Sequence, residues 1–493
     1  MDEINDLYRE RLKKLEIFRG LRLYETAVDP YGGRFEKSGT LKEMIAHFEE
    51  GKQVKVAGRL KAVRTHGKSA FCDLADQDAK IQLYFEADVV GEEPFEFFTK
   101  IDIGDIIGAE GELFKTRTGE PSVKVERFTL LSKSLRPLPE KWHGLKDVET
   151  RHRQRYVDLI MNEEARSVFF LRSRLIQKMR AFLDENGFME VETPILHPIP
   201  GGAAGEPFKT HHHALDIDLY LRLAPELYLK RLLVGGFERV YEIAKSFRNE
   251  GISARHNPEF TMLEAYASYW DYEDMIAFLE KMFAHLAQEL LGKTTISYET
   301  PEGTLEVDLS PPWERVSLAE LLKERFDINP TDSTEAWLSK LKSKGQERGL
   351  GLNVQGKIAR SQILKLTEDL VEVKARKKPL FVIDYFKEMC PLAKSKKENP
   401  ELCERFELFI GGMEVANAYS ELNDPIEQKK RFEAQADGVA GATIDDDFVR
   451  ALEYGMPPAS GLGVGIDRLT MLFTNQASIR EVILFPQLKP ESP

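Results

Sequence analysis

The sequence predicts an α+β chain in two folded parts: a small barrel of five strands near the N-terminus, and a larger antiparallel sheet flanked by helices. Three observations lead there. Between Val54 and Leu131 short stretches alternate apolar and polar residues and are broken by turn residues. From about Arg151 helical and strand-like runs interleave without a βαβ rhythm, which argues against a doubly wound parallel sheet. The chain has 493 residues, more than one ordinary domain holds.

Taken in order, Leu7, Leu12, Leu15 and Phe18 recur at helical spacing, so residues 3–20 read as a helix within an N-terminal extension, 1–50. VKVAGRLKAVR, SAFCDLAD, KIQLYFEA, DIIGAEGELFKT and SVKVERFTLL are the five barrel strands, within 51–136. Five strands in so short a span suggest an OB-fold. Arg136-Pro137-Leu138-Pro139 opens a linker over 137–150, and 151–493 form the larger domain. There SVFFLRSRLIQKMRAFLDENGF is a helix stopped at Asn186-Gly187, and MEVETPIL a strand closed by Pro194. LYLRLA and RVYEIAKSFR read as strands around the helix PELYLKRLLVG, and 271–291 as a long amphipathic helix. Residues 315–375 read as mostly helical, and the last 35 residues as a Gly-rich strand followed by a helix.

Hydrophobic content of 42% and charged content of 31% fit a globular, water-soluble chain. No apolar run approaches the roughly 18–20 residues that span a bilayer, and the charged start lacks a signal-peptide core. Cys72, Cys390 and Cys403 form no C-x-x-C pair, as expected in a reducing cytoplasm. A net charge of −13 argues against a general nucleic-acid binder, although Arg9, Arg11, Lys13, Lys14, Arg19 and Arg22 make one helix locally basic. That helix face reads equally as solvated or as phosphate-binding.

Four constellations carry chemistry. In SFRNEGISARHNPEFTMLEAY, 246–266, Arg248 and Arg255 offer forked donors to phosphate oxygens, and Phe260 a flat face to a base. The bland alternative is a surface hairpin of ion pairs. In FELFIGGMEVANAYSELND, 406–424, Gly411-Gly412 is a two-residue turn that pairs Phe409 with Glu414. Glu407 then lies diagonally across from Glu414, and two such carboxylates call for a cation such as Mg²⁺. Asn417, Tyr419 and Glu421 share one face; only a β-bulge would bring Glu414 to it. In GLGVGIDRLTMLF, 461–473, Arg468 opens a helix after a glycine strand, suited to a terminal phosphate or to tight packing alone. In LRLAPELYLKRLLVGG, 221–236, Glu226 either caps a helix or binds an ammonium.

In this order the pieces resemble the class II aminoacyl-tRNA synthetases, most closely their lysine-specific branch, over nearly the whole chain. The helix and strand ending at Pro194 look like the family's motif 1, FRNEG…RHNPEF like motif 2 and GLGVGIDR like motif 3. The resemblance implies a class II catalytic domain, built on an antiparallel sheet flanked by helices, behind an OB-fold that binds the anticodon. It implies attachment of L-lysine to tRNA(Lys) through a lysyl-adenylate, with ATP as substrate and Mg²⁺ as cofactor, by a cytoplasmic homodimer without a membrane partner. It also implies roles. Arg248 would hold the lysine carboxylate and α-phosphate, and Arg468 the γ-phosphate. Glu250, His256, Asn257 and Phe260 would seat the adenosine. Glu407 and Glu414 would carry the metal. Gly202 and Glu226 would take the α-ammonium, with Asn417 near the carboxylate. Glu421 and Tyr266 would meet the ε-ammonium beside Tyr419, and Arg64, Phe71 and Gln82 would read the uridine-rich anticodon. Four departures stand out: Ala418-Tyr419 for a common Gly-Phe, Glu206 for Arg, Phe386 and Cys390 for Pro and Ser, and Arg127 where some members have an acid.

Overall fold

The structure, a computed structural model, describes residues 2–139, 145, 147–203, 205–300, 303–329, 331–347, 363, 373–436 and 444–490. It divides into two compact units, Met1–Lys146 and Asp147–Pro493.

In the first unit α1 (Asp2–Arg19) buries Leu15 and Phe18. Its basic face is partly spent on the unit itself. Arg11 donates to the carbonyls of Ser134, Arg136 and Ile103, and Lys14 pairs with Asp102 at 2.7 Å. The barrel strands are β1 (Gln53–His66), β2 (Ser69–Ala75), β3 (Lys80–Glu86), β4 (Ile106–Lys115) and β5 (Pro121–Ser132). They close in the order β1-β2-β3-β5-β4, with β3 and β5 parallel and the other pairs antiparallel. Alternation sends Val56, Cys72, Leu74, Leu83, Phe85 and Val125 inward, all fully buried. The fold is therefore the closed five-stranded barrel of an OB-fold.

In the second unit one sheet runs β9-β10-β11-β12-β13-β8-β7-β6. Its strands are β6 (Met189–Glu190), β7 (Arg239–Phe247), β8 (Glu259–Ser268), β9 (Glu314–Ser317), β10 (Leu380–Phe386), β11 (Leu402–Ile410), β12 (Met413–Ser420) and β13 (Ala459–Gly465). The expected antiparallel pattern holds through the centre. The edge pairs β9–β10 and β6–β7 are parallel. The run MEVETPIL keeps only Met189–Glu190 in this sheet; Leu196–His197 pairs instead with Ile217–Leu221. Pro194 supplies the reason, since it has no N–H and restricts Thr193 before it. Of the region expected to be helical, Leu318–Phe326 and Thr334–Glu347 are helices; most of 348–372 lies outside the described residues.

The pleat sorts the sheet's side chains. Leu263, Ala265, Ala416, Leu408, Leu462 and Val464 turn to a core built with α2 (Glu163–Glu185), α4 (Tyr272–Leu291) and α5 (Ile466–Phe473), which bring in Leu175, Met179, Leu279, Met282 and Leu469. Their neighbours at every second position, among them Glu264, Tyr266, Asn417 and Gly463, turn the other way. That second face carries the site, and α3 (Glu226–Val234) packs beside it.

Candidate active site

Register builds the site's floor. Across β8, β13 and β12, Glu264 and Asn417 both face Gly463, and Tyr266 and Tyr419 both face Gly461. Glycine at alternate positions lowers the central strand into a trench. A Cβ at 461 would lie 2.1 Å from Oε1 of Glu421 and 2.4 Å from the Tyr266 ring. Glu421 follows β12 directly, with its N–H bonded to the Ala459 carbonyl at 2.8 Å and its side chain buried.

Glu226 is in the first turn of α3 but caps no backbone N–H. Its carboxylate accepts from Nζ of Lys230 at 2.6 Å and from the Tyr419 hydroxyl. Lys230 Nζ also lies 2.5 Å from Oε2 of Glu421 and above the Tyr419 ring at 5.4 Å. The third carboxylate, Glu264, accepts from the Tyr266 hydroxyl at 3.0 Å. Burial pushes the Glu421 carboxyl up to about 8, opposed by Lys230 and reinforced by Glu226 and Glu264. Burial likewise raises Glu264 to about 8, helped by Glu226 and opposed by Tyr266 and Lys230. Burial pulls the Lys230 ammonium down, but Glu226 and Glu421 outweigh it and the net shift is upward. A nearby fourth acid, Glu242, is matched by Arg222 at 2.6 Å. Three carboxylates thus surround one ammonium, an arrangement that favours a second cation. Gly202, in left-handed backbone, lies against Glu226 and Ala224.

Alongside is an open cleft of about 170 Å³ lined by Arg248, Glu250, His256, Phe260, Asn417 and Arg468 among others. The loop between β7 and β8 delivers the first three, and β8 itself delivers Phe260. Arg248 stacks its guanidinium on the Phe260 ring at 5.2 Å, and its buried Nε has no hydrogen-bond partner. Burial lowers its pKa, so an anion in the cleft would relieve it. Asp467 accepts from the Thr261 N–H at 2.7 Å and pairs with Arg172 at 2.6 Å, which fixes the first turn of α5. Arg468 then donates to the Glu414 carboxylate at 2.9 Å and to Nε2 of His256 at 3.3 Å. Burial and that guanidinium hold the imidazole below its ordinary pKa, hence neutral. Asn257 lines the same cleft, but its side chain is engaged: it donates to the Glu259 carbonyl at 2.6 Å and accepts from the Gln487 N–H at 3.3 Å.

The β11–β12 hairpin has the expected register. Gly411-Gly412 makes the turn, Phe409 faces Glu414, and the register shifts between Leu408 and Phe409, so Asn417 faces Glu407. That bulge puts Glu407, Glu414 and Asn417 on one face. Glu407 pairs with Arg405 at 2.5 Å and Glu414 with Arg468. Two hard carboxylates beside a phosphate-sized cleft suit Mg²⁺, which takes one or two carboxylates and completes its shell with phosphates and water. Among the described residues no cluster of three acidic, histidine or cysteine ligands could hold an ion without such help.

In the barrel unit Arg64 faces Phe71, Phe71 faces Tyr84, and Asp73 faces Gln82, so all share the outer surface. Phe71 and Tyr84 rings lie 4.8 Å apart and Phe114 continues the strip at 6.0 Å. Arg64 is 3.4 Å from Asp73, and Gln82 accepts from the Ser122 hydroxyl at 3.1 Å.

Sequence reasoning missed Glu264, Lys230, Arg405, Tyr84 and Phe114. Signals existed for three. Glu264 is two residues before Tyr266 in a strand, Tyr84 two after Gln82, and Lys230 four after Glu226 on a helix. Arg405 and Phe114 stood out in no motif.

Comparison with known proteins adds lineage. Residues 147–489 match the model of the tRNA synthetases class II (D, K and N), and 54–131 that of the OB-fold nucleic acid binding domain. The lysine–tRNA ligase of Carboxydothermus hydrogenoformans is 52% identical, covering 99% of each chain. That of Moorella thermoacetica is 51% identical over 99% of this chain and 98% of its own. That of Bacillus subtilis is 46% identical over the same shares. With a family model spanning nearly all of the second unit and relatives about half identical from end to end, this chain belongs to the class II tRNA synthetases, in the lysine–tRNA ligase family.

Proposed function

We propose that the chain joins L-lysine to tRNA(Lys) in two steps at the face of the β6–β13 sheet. The lysine carboxylate attacks the α-phosphorus of ATP and pyrophosphate leaves. The terminal ribose hydroxyl of the tRNA then attacks the acyl carbon of lysyl-adenylate and AMP leaves. The observation carrying this reading is the set of three buried carboxylates, Glu226, Glu264 and Glu421, around a single Lys230. A substrate with a cationic tip completes that charge balance; an acidic or amide side chain does not.

Arg248 orients the substrate carboxylate against the α-phosphate, with the adenine on Phe260. Arg468 holds the terminal phosphate. Gly202, Glu226 and Asn417 take the amino-acid end, and Tyr266, Tyr419 and Glu421 the ε-ammonium. No covalent nucleophile is required; positioning and charge stabilisation supply the rate. Glu407 and Glu414 would hold Mg²⁺, which when bound offsets phosphate charge. Arg64, Phe71 and Gln82 read the anticodon by stacking and hydrogen bonding. The chain works as a cytoplasmic homodimer; exposed Met189, Ile195 and Leu196 in the motif 1 segment support this. No described helix is long and apolar enough to cross a membrane.

ATP–pyrophosphate exchange with each of the twenty amino acids, followed by charging of total tRNA, tests the proposal. Mg²⁺-dependent exchange with lysine and charging of tRNA(Lys) are expected. Exchange driven by aspartate or asparagine, or lysine exchange without tRNA charging, would overturn it.

A further inference from the structure

Resting on that reading, we infer that Lys230 is a specificity-determining residue: a fixed internal ammonium that holds Glu226 and Glu421 together and sets the pH range in which the pocket accepts lysine.

The geometry is closed on every side. Lys230 Nζ is fully buried, 2.6 Å from Glu226 Oε1 and 2.5 Å from Glu421 Oε2. Aromatic faces cover it, Tyr419 at 5.4 Å and Phe448 at 6.0 Å. Neither carboxyl oxygen of Glu421 makes a hydrogen bond of good geometry: Oε2 is held against the internal ammonium as a 2.5 Å ion pair, and Oε1, which meets no described cation, is left for an incoming one. The titratable groups facing Glu421 are Lys230 and Glu226 from α3, Glu264 and Tyr266 from β8, and Tyr419 from β12. Beyond them Glu242 is matched by Arg222. Lys230 is the cation of this set that touches Glu421. It opposes the burial and the neighbouring acids that would keep Glu421 protonated. Without it, lysine would have to displace a more tightly held proton. Lys230 does not touch the reacting atoms, so its action is positioning and electrostatic.

The test is Lys230→Met, of similar length and no charge, in the full chain with ATP–pyrophosphate exchange measured from pH 6 to 9. Wild-type exchange with lysine is the control, and its failure would sink the proposed function rather than this inference. The expected result has three parts. KM for lysine at pH 7 rises by about tenfold or more, KM for ATP stays within about twofold, and the acid limb of kcat/KM for lysine moves up by about one pH unit. An unmoved acid limb with unchanged KM for lysine overturns the inference. So does an equal loss at every pH accompanied by weakened ATP binding, which marks a role in folding alone. If the methionine variant does not fold, Lys230→Gln, which can still hydrogen-bond both carboxyl groups, is judged by the same limb.

Discussion

Gly461 and Glu421 touch across two strands: Oε1 of Glu421 lies 2.1 Å from where a Cβ on residue 461 would be. The glycine's missing side chain is the space in which the buried carboxylate sits, with the Tyr266 ring at its other edge. Replacing Gly461 by Ala pushes both groups at once, and neither can retreat into solvent. The expected outcome in exchange assays is a loss of roughly a hundredfold in kcat/KM for lysine. Wild-type lysine kinetics in a folded Gly461→Ala protein would remove the trench from the argument.

Glu421→Gln keeps shape and removes charge. It leaves a bound ε-ammonium buried against an amide that, unlike the carboxyl, cannot ionise to meet it, a penalty of about 3–5 kcal/mol. Lysine activation should drop several hundredfold or more, while ATP binding, measured by calorimetry, should stay near wild type. Unchanged activation kinetics would refute the assignment of Glu421.

Glu421 and Glu264, both held near 8 chiefly by burial, carry protons at neutral pH that ordinary glutamates have lost. An entering ammonium favours their ionised forms, so lysine binding releases protons between about pH 5 and 8, and affinity climbs with pH over that window. Stability of the free protein runs the opposite way. The folded state binds more protons than the unfolded chain, so these groups' contribution falls as pH rises from about 4.5 through about 8. Calorimetry of lysine binding in buffers of different ionisation enthalpy counts the protons; zero release at pH 6.5 would contradict both buried shifts.

Arg248→Lys retains charge but loses the forked donors and the stack on Phe260. A fall of roughly 10²–10³ in kcat is expected in single-turnover adenylate formation. Arg468→Ala should act on the nucleotide instead, raising KM for ATP and freeing Glu414 from its partner at 2.9 Å. Equal effects of the two changes on KM for ATP, with kcat untouched, would reverse the roles given to them.

In the barrel, Phe71→Ala removes one ring of the Phe71–Tyr84–Phe114 strip. Losing a stacked base costs about 1–3 kcal/mol, read as weaker tRNA(Lys) binding in filter assays. Lysine-dependent pyrophosphate exchange, which needs no tRNA, should be unaffected. Normal tRNA affinity would move the anticodon site elsewhere.

Much of this was legible in the residues. Period-two alternation and glycine breaks determined the five barrel strands. The Gly411-Gly412 turn determined the Phe409–Glu414 register and left a bulge as the one way to bring Glu414 to the face of Asn417. Helix α4 and its stop were set by its own pattern, with Asp271 as N-cap and left-handed Gly292 as C-cap. These are local properties, fixed by turn chemistry and side-chain spacing.

Other features are long-range. Sequence offered Glu226 two roles, a helix cap or an ammonium ligand; only the packing of α3 shows that it caps no backbone N–H and that Lys230 lies between Glu226 and Glu421. Nothing local to Glu264 tells that strands on both sides will bury it. The side chain of Asn257 was spent on the backbone of residues 259 and 487, a contact between distant segments. Alternation and turns are set within a few residues, so the chain states them directly. Charge balance in a buried pocket depends on which groups share it, and that exists only once the sheet has formed.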